Sequence, residues 1–367
     1  MKAARADSYF PQLDGIRTLA VLMVIVSHWY RGADYAFLYY GGAMGVGLFF
    51  VLSGFLITHI LLRQQKTFLE GDRDVRLQIL KTFYIRRTLR IFPIYYLYVA
   101  ALLILGIGQS REVWGWLLTY TYNFQLFLTG IWHSGHIEHL WSLAIEEQYY
   151  LIWPAFLLIC PPRYHFRLVF GFMLLAICCK AILYLNNPAS QYSKFPVSQF
   201  DGFGLGSLLA LLWRRGIVIP YAGWGFLFCW GMSFFLKWNR FHFHGMSFLS
   251  QTLPFYFLGC AFLIYLAAKG MKGLPGFLFG NPVSVYLGKI SYGLYLYHLC
   301  IPSLSAWIIR HTEMPIQNRW QLWVFYGVLT LAITSISWYL IEQPVNRLKD
   351  RFRYQSNSAQ SLKTESK

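Results

Sequence analysis

The stretch Leu13-Asp14-Gly15-Ile16-Arg17-Thr18-Leu19-Ala20-Val21-Leu22-Met23-Val24-Ile25-Val26-Ser27-His28 decides how this chain is read. It is apolar over a length that suits one crossing of a bilayer core of about 30 Å, yet it carries an arginine and a histidine. Eleven residues at 3.6 per turn make close to three turns, so Arg17 and His28 share a helix face, about 16 Å apart along the axis. Ionisable groups inside a membrane helix are costly and count as functional candidates by default. The bland alternative is an arginine snorkelling to the interface and a histidine satisfied by a neighbour. For His28 the functional reading is preferred, because a neutral imidazole can act as a base.

The rest of the chain agrees with a membrane setting. Of 367 residues, 56% are hydrophobic and 13% charged, where a soluble domain carries about a quarter charged. Aromatic residues reach 19%, and Trp and Tyr gather at membrane interfaces. The net charge of +17 is spread between apolar runs rather than drawn into one stripe, so it orients loops and does not point to nucleic acid. Lys2 and Arg5 precede the first apolar run as in a signal peptide, but no small-residue cleavage site follows, and the run is expected to stay as a helix.

Ten stretches are apolar enough to span: 13–31, 42–63, 88–108, 140–160, 167–185, 199–214, 217–236, 249–268, 283–309 and 321–341. The aromatic stretch 112–128 is short and reads as re-entrant or lying on the outer face. With the N-terminus in the cytoplasm, 24 basic residues fall on the cytoplasmic side and seven outside, which is the positive-inside signature. The expected fold is therefore all-α and polytopic, with about ten transmembrane helices and both termini cytoplasmic. Residues 1–346 form the transmembrane domain and 347–367 a short, disordered cytoplasmic tail; the longest hydrophilic loop is 64–87. No internal repeat of the transporter kind is visible.

Several further polar groups are expected at membrane depth. Glu146 and Glu147 lie about two turns into the fourth span; adjacent positions on a helix point about 100° apart, so at most one aims directly at a given site. His298 lies near the middle of the ninth span. Asp201 opens the sixth, as a cap or as a partner for an imidazole. His133, His136 and His139 resemble a metal site only weakly, and no metal is expected. Arg86, Arg87 and Arg90 stand at the entrance to the third span. They are either ordinary anchors or, with Arg87 and Arg90 one turn apart, a clamp for the phosphates of a nucleotide-bearing donor.

These segments occur in a telling order: Leu13–Arg17 through Val24–His28, Gly45–Ile57, Arg86–Pro93, His139–Tyr150, Asp201–Gly206, Leu287–His298 and Glu342-Gln343-Pro344. In that order the chain resembles the membrane acyltransferase-3 family, bacterial enzymes that O-acylate sugars and related hydroxyl groups. The resemblance implies an acyl-CoA donor, usually acetyl-CoA, bound from the cytoplasm near Arg87 and Arg90, with no permanently bound cofactor. It implies that His28 is catalytic with Arg17 in support. Glu146 and His298 match signature positions, and Glu147, Ser291 and Tyr292 lie in the same motifs. The expected setting is the bacterial inner membrane, with a glycan or lipid-linked saccharide as acceptor.

An acidic neighbour, Glu146 or Asp201, is expected to hold His28 while it deprotonates the acceptor hydroxyl, or His28 is itself acylated first. Some relatives carry an esterase-like domain after the last helix. This chain stops shortly after it, so a second transfer step is expected to need a separate partner. Many relatives also have an arginine near Phe200, where this chain reads Ser198-Gln199-Phe200. The rival class is a secondary transporter or flippase using the same residues for proton coupling. The sequence leaves the acceptor and the oligomeric state open.

Overall fold

The computed structural model describes residues 9–30, 36–133, 135–187, 191–239, 255–352 and 354. Among them every regular element is helical and no strand occurs. Arg31, Arg240, residues 249–254 of the expected eighth span, and tail residues 353 and 355–367 lie outside the described residues, as do Lys2 and Arg5.

The helices are α1 (Pro11–Trp29), α2 (Ala36–Glu70), α3 (Arg73–Leu105), α4 (Trp114–Leu118), α5 (Tyr122–Thr129), α6 (Leu140–Ile159), α7 (His165–Asn186), α8 (Phe200–Arg214), α9 (Ala222–Asn239), α10 (Phe255–Lys269), α11 (Gly273–Gly280), α12 (Pro282–Lys289), α13 (Ser291–Tyr297), α14 (Ile301–Thr312), α15 (Arg319–Ser337) and α16 (Gln343–Leu348). Among the described residues, four helical runs are long and apolar enough to cross a membrane: Gly41–Glu70, Arg73–Leu105, Pro162–Asn186 and Arg319–Arg351. The pair α10 and α11, bent by 88°, adds a fifth when taken as one span. Helices α1 and α6 have 19 and 20 residues, enough for a crossing of about 30 Å, but they carry the polar side chains of the site. Exposed Leu174, Leu175, Ile182 and Leu185 on α7, with Val324 and Val328 on α15, form an apolar perimeter that suits lipid.

Three expectations need correction. The expected loop 64–87 is helical: α2 and α3 run through it, separated by Gly71 and Asp72, and the Asp72 side chain caps α3 by accepting from Val75 N at 2.9 Å. The expected span 283–309 is broken into α12, α13 and α14. Ile290 leaves the helical conformation, and α14 restarts around Pro302, which lacks the N–H that a continuous helix needs. The last helix does not stop at 341 but continues past Asn346 through a π-turn at Trp338–Glu342 and α16 to Arg351. The stretch 112–128 holds only α4 and α5, of five and eight residues, too short to cross.

Small residues set the helix crossings. A Cβ at Gly54 on α2 would collide with the Phe203 carbonyl on α8, and one at Gly206 with the Val51 carbonyl. Gly288 meets the Asp14 backbone on α1 in the same way. Without a hydrophobic drive between helices in lipid, such close backbone approach and interhelical hydrogen bonds hold the bundle. The bonds are present beside the α2/α8 crossing: Thr58 Oγ1 donates to Ser207 Oγ at 2.8 Å, and the Trp153 indole donates to Thr58 at 2.8 Å.

Candidate active site

The packing of α1, α2, α3, α6 and α13 leaves a cavity with about 830 Å³ of empty space, its mouth included. Arg17, Ser53, Arg87, Arg90, Glu146, Glu147, Tyr150, Ser291, Tyr292 and Tyr295 line it, with Phe49, Phe50 and Leu56 among its apolar walls. Three guanidinium groups and two carboxylates thus share one chamber. Several of the lining groups are held by hydrogen bonds or an ion pair. Arg17 lies 2.5 Å from Asp14, which also accepts from the Tyr9 hydroxyl. Ser53 Oγ donates to Glu146 Oε1 at 3.0 Å and lies 2.8 Å from the Tyr150 hydroxyl. Tyr292 donates to the Ile91 carbonyl at 3.3 Å. Glu146 and Glu147 both reach the cavity, contrary to the expectation from their 100° offset. The chamber wraps round the α6 face widely enough to take both.

Arg87 and Arg90 also line a second recess, with about 1260 Å³ of empty space including its open mouth, together with Arg63, Arg86, Asn346, Lys349 and Tyr354. No carboxylate is among its described lining residues, so it favours anions. Arg86 is turned to the C-terminal segment, donating from Nη1 to the carbonyls of Lys349 (3.0 Å) and Phe352 (2.8 Å). Arg87 lies over the rings of Phe83 and Tyr150 at 5.7 and 5.9 Å. The Arg87/Arg90 pair is therefore the wall between a basic recess and the inner chamber.

His28 does not line that chamber. It belongs to a cluster in which His28, His298 and His139 pack ring to ring, with centroids 5.0 Å (His28–His298) and 5.1 Å (His139–His298) apart. The acceptors fix the tautomers. His298 Nδ1 lies 2.6 Å from the Tyr295 carbonyl, so it carries the proton and Nε2 is the acceptor. His28 Nδ1, 3.1 Å from that Nε2 and 3.0 Å from the Val24 carbonyl, must then be the donor. The lone pair of His28 is thereby placed on Nε2. His139 Nε2 donates to the Leu296 carbonyl at 3.1 Å, and its buried Nδ1 has no hydrogen-bond partner. Tyr295 separates cluster from chamber: it lines the chamber, its hydroxyl sits 2.5 Å from Ser142 Oγ, and its ring lies 5.4 Å from His139 and 5.7 Å from His298.

The expected acidic partner of His28 is not Asp201. Asp201 is fully buried and ion-paired with Lys180 of α7, while its Oδ1 accepts from Gly202 N at 3.0 Å. A carboxylate in that setting needs a buried cation more than a titrating ring. Glu146, for its part, is bonded to Ser53. The orienting group that sequence reasoning sought in a carboxylate is an imidazole, His298. His133 and His136 diverge from His139, to Tyr122 (3.3 Å) and Ser303 (2.9 Å).

Sequence reasoning missed Asp14, Ser53, Tyr150 and Tyr295 as site residues. All four lie inside the quoted motifs, and a hydroxyl or carboxylate in an otherwise apolar helix was the available signal.

The sequence profile of a family described as an acyltransferase domain matches residues 10–341. Among curated proteins, the peptidoglycan O-acetyltransferase OatA of Listeria monocytogenes is 31% identical over 92% of this chain and 56% of its own length. YrhL of Bacillus subtilis, provisionally named a peptidoglycan O-acetyltransferase, is 31% identical over 56% of this chain and 33% of its own length. A Staphylococcus aureus (strain COL) protein provisionally named an O-acetyltransferase is 26% identical over 92% of this chain and 58% of its own. The chain thus spans little more than half the length of the relatives it matches most fully. No solved structure matches it.

Proposed function

The chain belongs to the acyltransferase family whose domain it matches over residues 10–341, and from that premise we propose that it transfers an acyl group, acetyl in the first instance, from acyl-CoA to a glycan hydroxyl. The names of its relatives point to peptidoglycan as the acceptor class. The single observation that carries the reading is the double role of Arg87 and Arg90, which line both the basic recess and the inner chamber. Phosphates held in the recess would aim the donor's thiol arm between them into a chamber with Arg17, Glu146 and Ser53 on its walls. In the same reading the protein sits in the bacterial inner membrane with ten crossings and both termini cytoplasmic, which puts the recess on the side where acyl-CoA is made.

His28 Nε2 takes the proton of the acceptor hydroxyl, the hydroxyl oxygen attacks the thioester carbonyl, and the CoA thiolate leaves. His298 holds the His28 tautomer for this task, as the orienting group does in any base–orienter pair. General-base help of this kind is worth roughly two to four orders of magnitude in rate. Arg17, braced by Asp14 on the chamber wall, steers the donor's pantetheine arm past it towards the His28 cluster beyond Tyr295.

Purified protein in nanodiscs, given labelled acetyl-CoA with and without a peptidoglycan fragment, tests the proposal. Acceptor-dependent CoA release and label on the glycan are expected, and both should vanish in His28→Ala. Movement of the glycan across vesicles without any CoA release would instead establish the transporter class.

A further inference from the structure

Lys194 stands in the turn Tyr192–Lys194 between α7 and α8 and is only 8% exposed. Its ammonium lies 3.5 Å from the ring centre of Trp141 and 5.2 Å from that of Trp132. No described carboxylate pairs with it. The other buried lysine, Lys180, has Asp201. A buried cation without an anion is costly, and aromatic faces offset only part of that cost. Burial pulls the Lys194 ammonium down to about 7, the response of a cation lacking its counter-charge.

The position is built rather than incidental. Lys194 N donates to the Gln191 carbonyl at 2.8 Å, and its own carbonyl accepts from Asn123 Nδ2 at 3.1 Å. Asn123 is in turn held by Gln148 Nε2 at 2.8 Å, and Gln199 fastens the Ser193 carbonyl at 2.7 Å. The main chain on both sides of the ammonium is thus pinned to α5 and α6. Trp141 lies in the first turn of α6, about 7.5 Å along the axis from Glu146, and sits edge-on to Phe50 of the chamber wall, with ring centres 6.3 Å apart. Trp132 is 43% exposed, so an indole is open to an incoming ligand.

We infer that Lys194, Trp132 and Trp141 form a binding site for a carboxylate-bearing saccharide. The carboxylate completes the ion pair that Lys194 lacks, and the exposed Trp132 indole offers a face to the apolar face of a pyranose ring. A sugar anchored there extends towards the chamber. The inference deepens the acyl-acceptor reading and rests on it for the role of the bound sugar.

The test is a binding measurement that needs no acyl transfer. Wild-type protein in phosphatidylcholine nanodiscs is titrated calorimetrically with an oligouronate and with the same oligosaccharide after reduction of its carboxyls to alcohols. The oligouronate should bind about tenfold more tightly, the scale of one charge-assisted hydrogen bond. Lys194→Met should abolish that preference and Lys194→Arg retain part of it, each with an unchanged melting temperature. Equal affinities in the wild type, or a preference undiminished in Lys194→Met, overturn the inference. Suppression of oligouronate binding by phosphatidylglycerol in the nanodisc, kept in part by Lys194→Arg and absent in Lys194→Met, assigns the site to a lipid headgroup and also overturns it. Because acyl transfer is assayed separately by CoA release, loss of either reading leaves the other standing.

Discussion

His28 Nδ1 lies 3.1 Å from His298 Nε2, joining two residues 270 positions apart. The Tyr295 carbonyl, 2.6 Å from His298 Nδ1, sets the direction of every proton in this chain of contacts. Two backbone carbonyls, those of Val24 and Tyr295, therefore decide which nitrogen of His28 is basic. Such an orienting group costs roughly 10–100-fold in activity when removed.

His298→Ala should accordingly lower kcat by about 10–100-fold while leaving the KM for acyl-CoA unchanged. The larger loss in His28→Ala, about 10²–10⁴-fold, should not deepen when His298→Ala is added, because the second residue acts only through the first. Full kcat in His298→Ala would show that His298 does not position His28 and that the Val24 carbonyl alone orients the ring.

Arg87→Lys should raise the KM for acyl-CoA by about tenfold, because a lysine keeps the charge but loses the planar fork and its stacking on Phe83 and Tyr150. Dephospho-CoA donors should be less affected than CoA donors if the recess holds phosphate. A lowered kcat with unchanged donor KM would place Arg87 outside donor binding.

Ser53→Ala removes the hydroxyl that links Glu146 to Tyr150. It leaves two buried polar groups short of a partner, a cost of about 1–3 kcal/mol. Reduced kcat together with a small loss of thermal stability is expected. Ser53→Cys, which keeps a weak donor, should fall between wild type and alanine in both measurements.

Gly54→Ala should destabilise the α2/α8 crossing, since its Cβ meets the Phe203 backbone rather than a movable side chain. Overpacking of this kind costs about 1–3 kcal/mol, and the melting temperature in detergent should drop accordingly. Gly171→Ala is the control: nothing lies within 4 Å of its Cβ, so stability should hold or rise slightly. Equal effects at the two positions would contradict the packing.

Asp201→Asn strands Lys180 without its counter-ion. Breaking a buried pair from one side costs about 3–5 kcal/mol, so the folded yield should collapse. The double variant Lys180→Met/Asp201→Leu should recover yield and most of the activity. Recovery of yield without any activity would return Asp201 to the catalytic set.

Much of the candidate site could be read from the sequence, from polar groups conspicuous in apolar helices and from the motifs of the family resemblance. Arg17, Arg87, Arg90, Glu146, Glu147, Ser291 and Tyr292, all named from sequence, line one cavity. His28 and His298 are equally visible in the sequence, but as isolated positions rather than as partners. Asp201 was misread because its partner, Lys180, is 21 positions earlier on another helix. The broken helix at 282–312 was missed because hydropathy is continuous across it, while the break depends on local backbone at Ile290 and Pro302. The helical continuation of α2 and α3 is hidden for the opposite reason: polar residues there read as a loop, although the turn needs only Gly71 and Asp72.

The sequence by itself determined the apolar helical class, the shared face of Arg17 and His28, and the order of motifs that places the chain in its family. Periodicity fixes the direction of a side chain from its own helix, and that is a local property. Only the tertiary structure decided what each side chain meets: Asp14 behind Arg17, His298 behind His28, Lys180 beside Asp201, and one arginine pair between two cavities. Those pairings follow from how closely helices cross at Gly54, Gly206 and Gly288, which depends on backbones far apart in the chain and on no single segment.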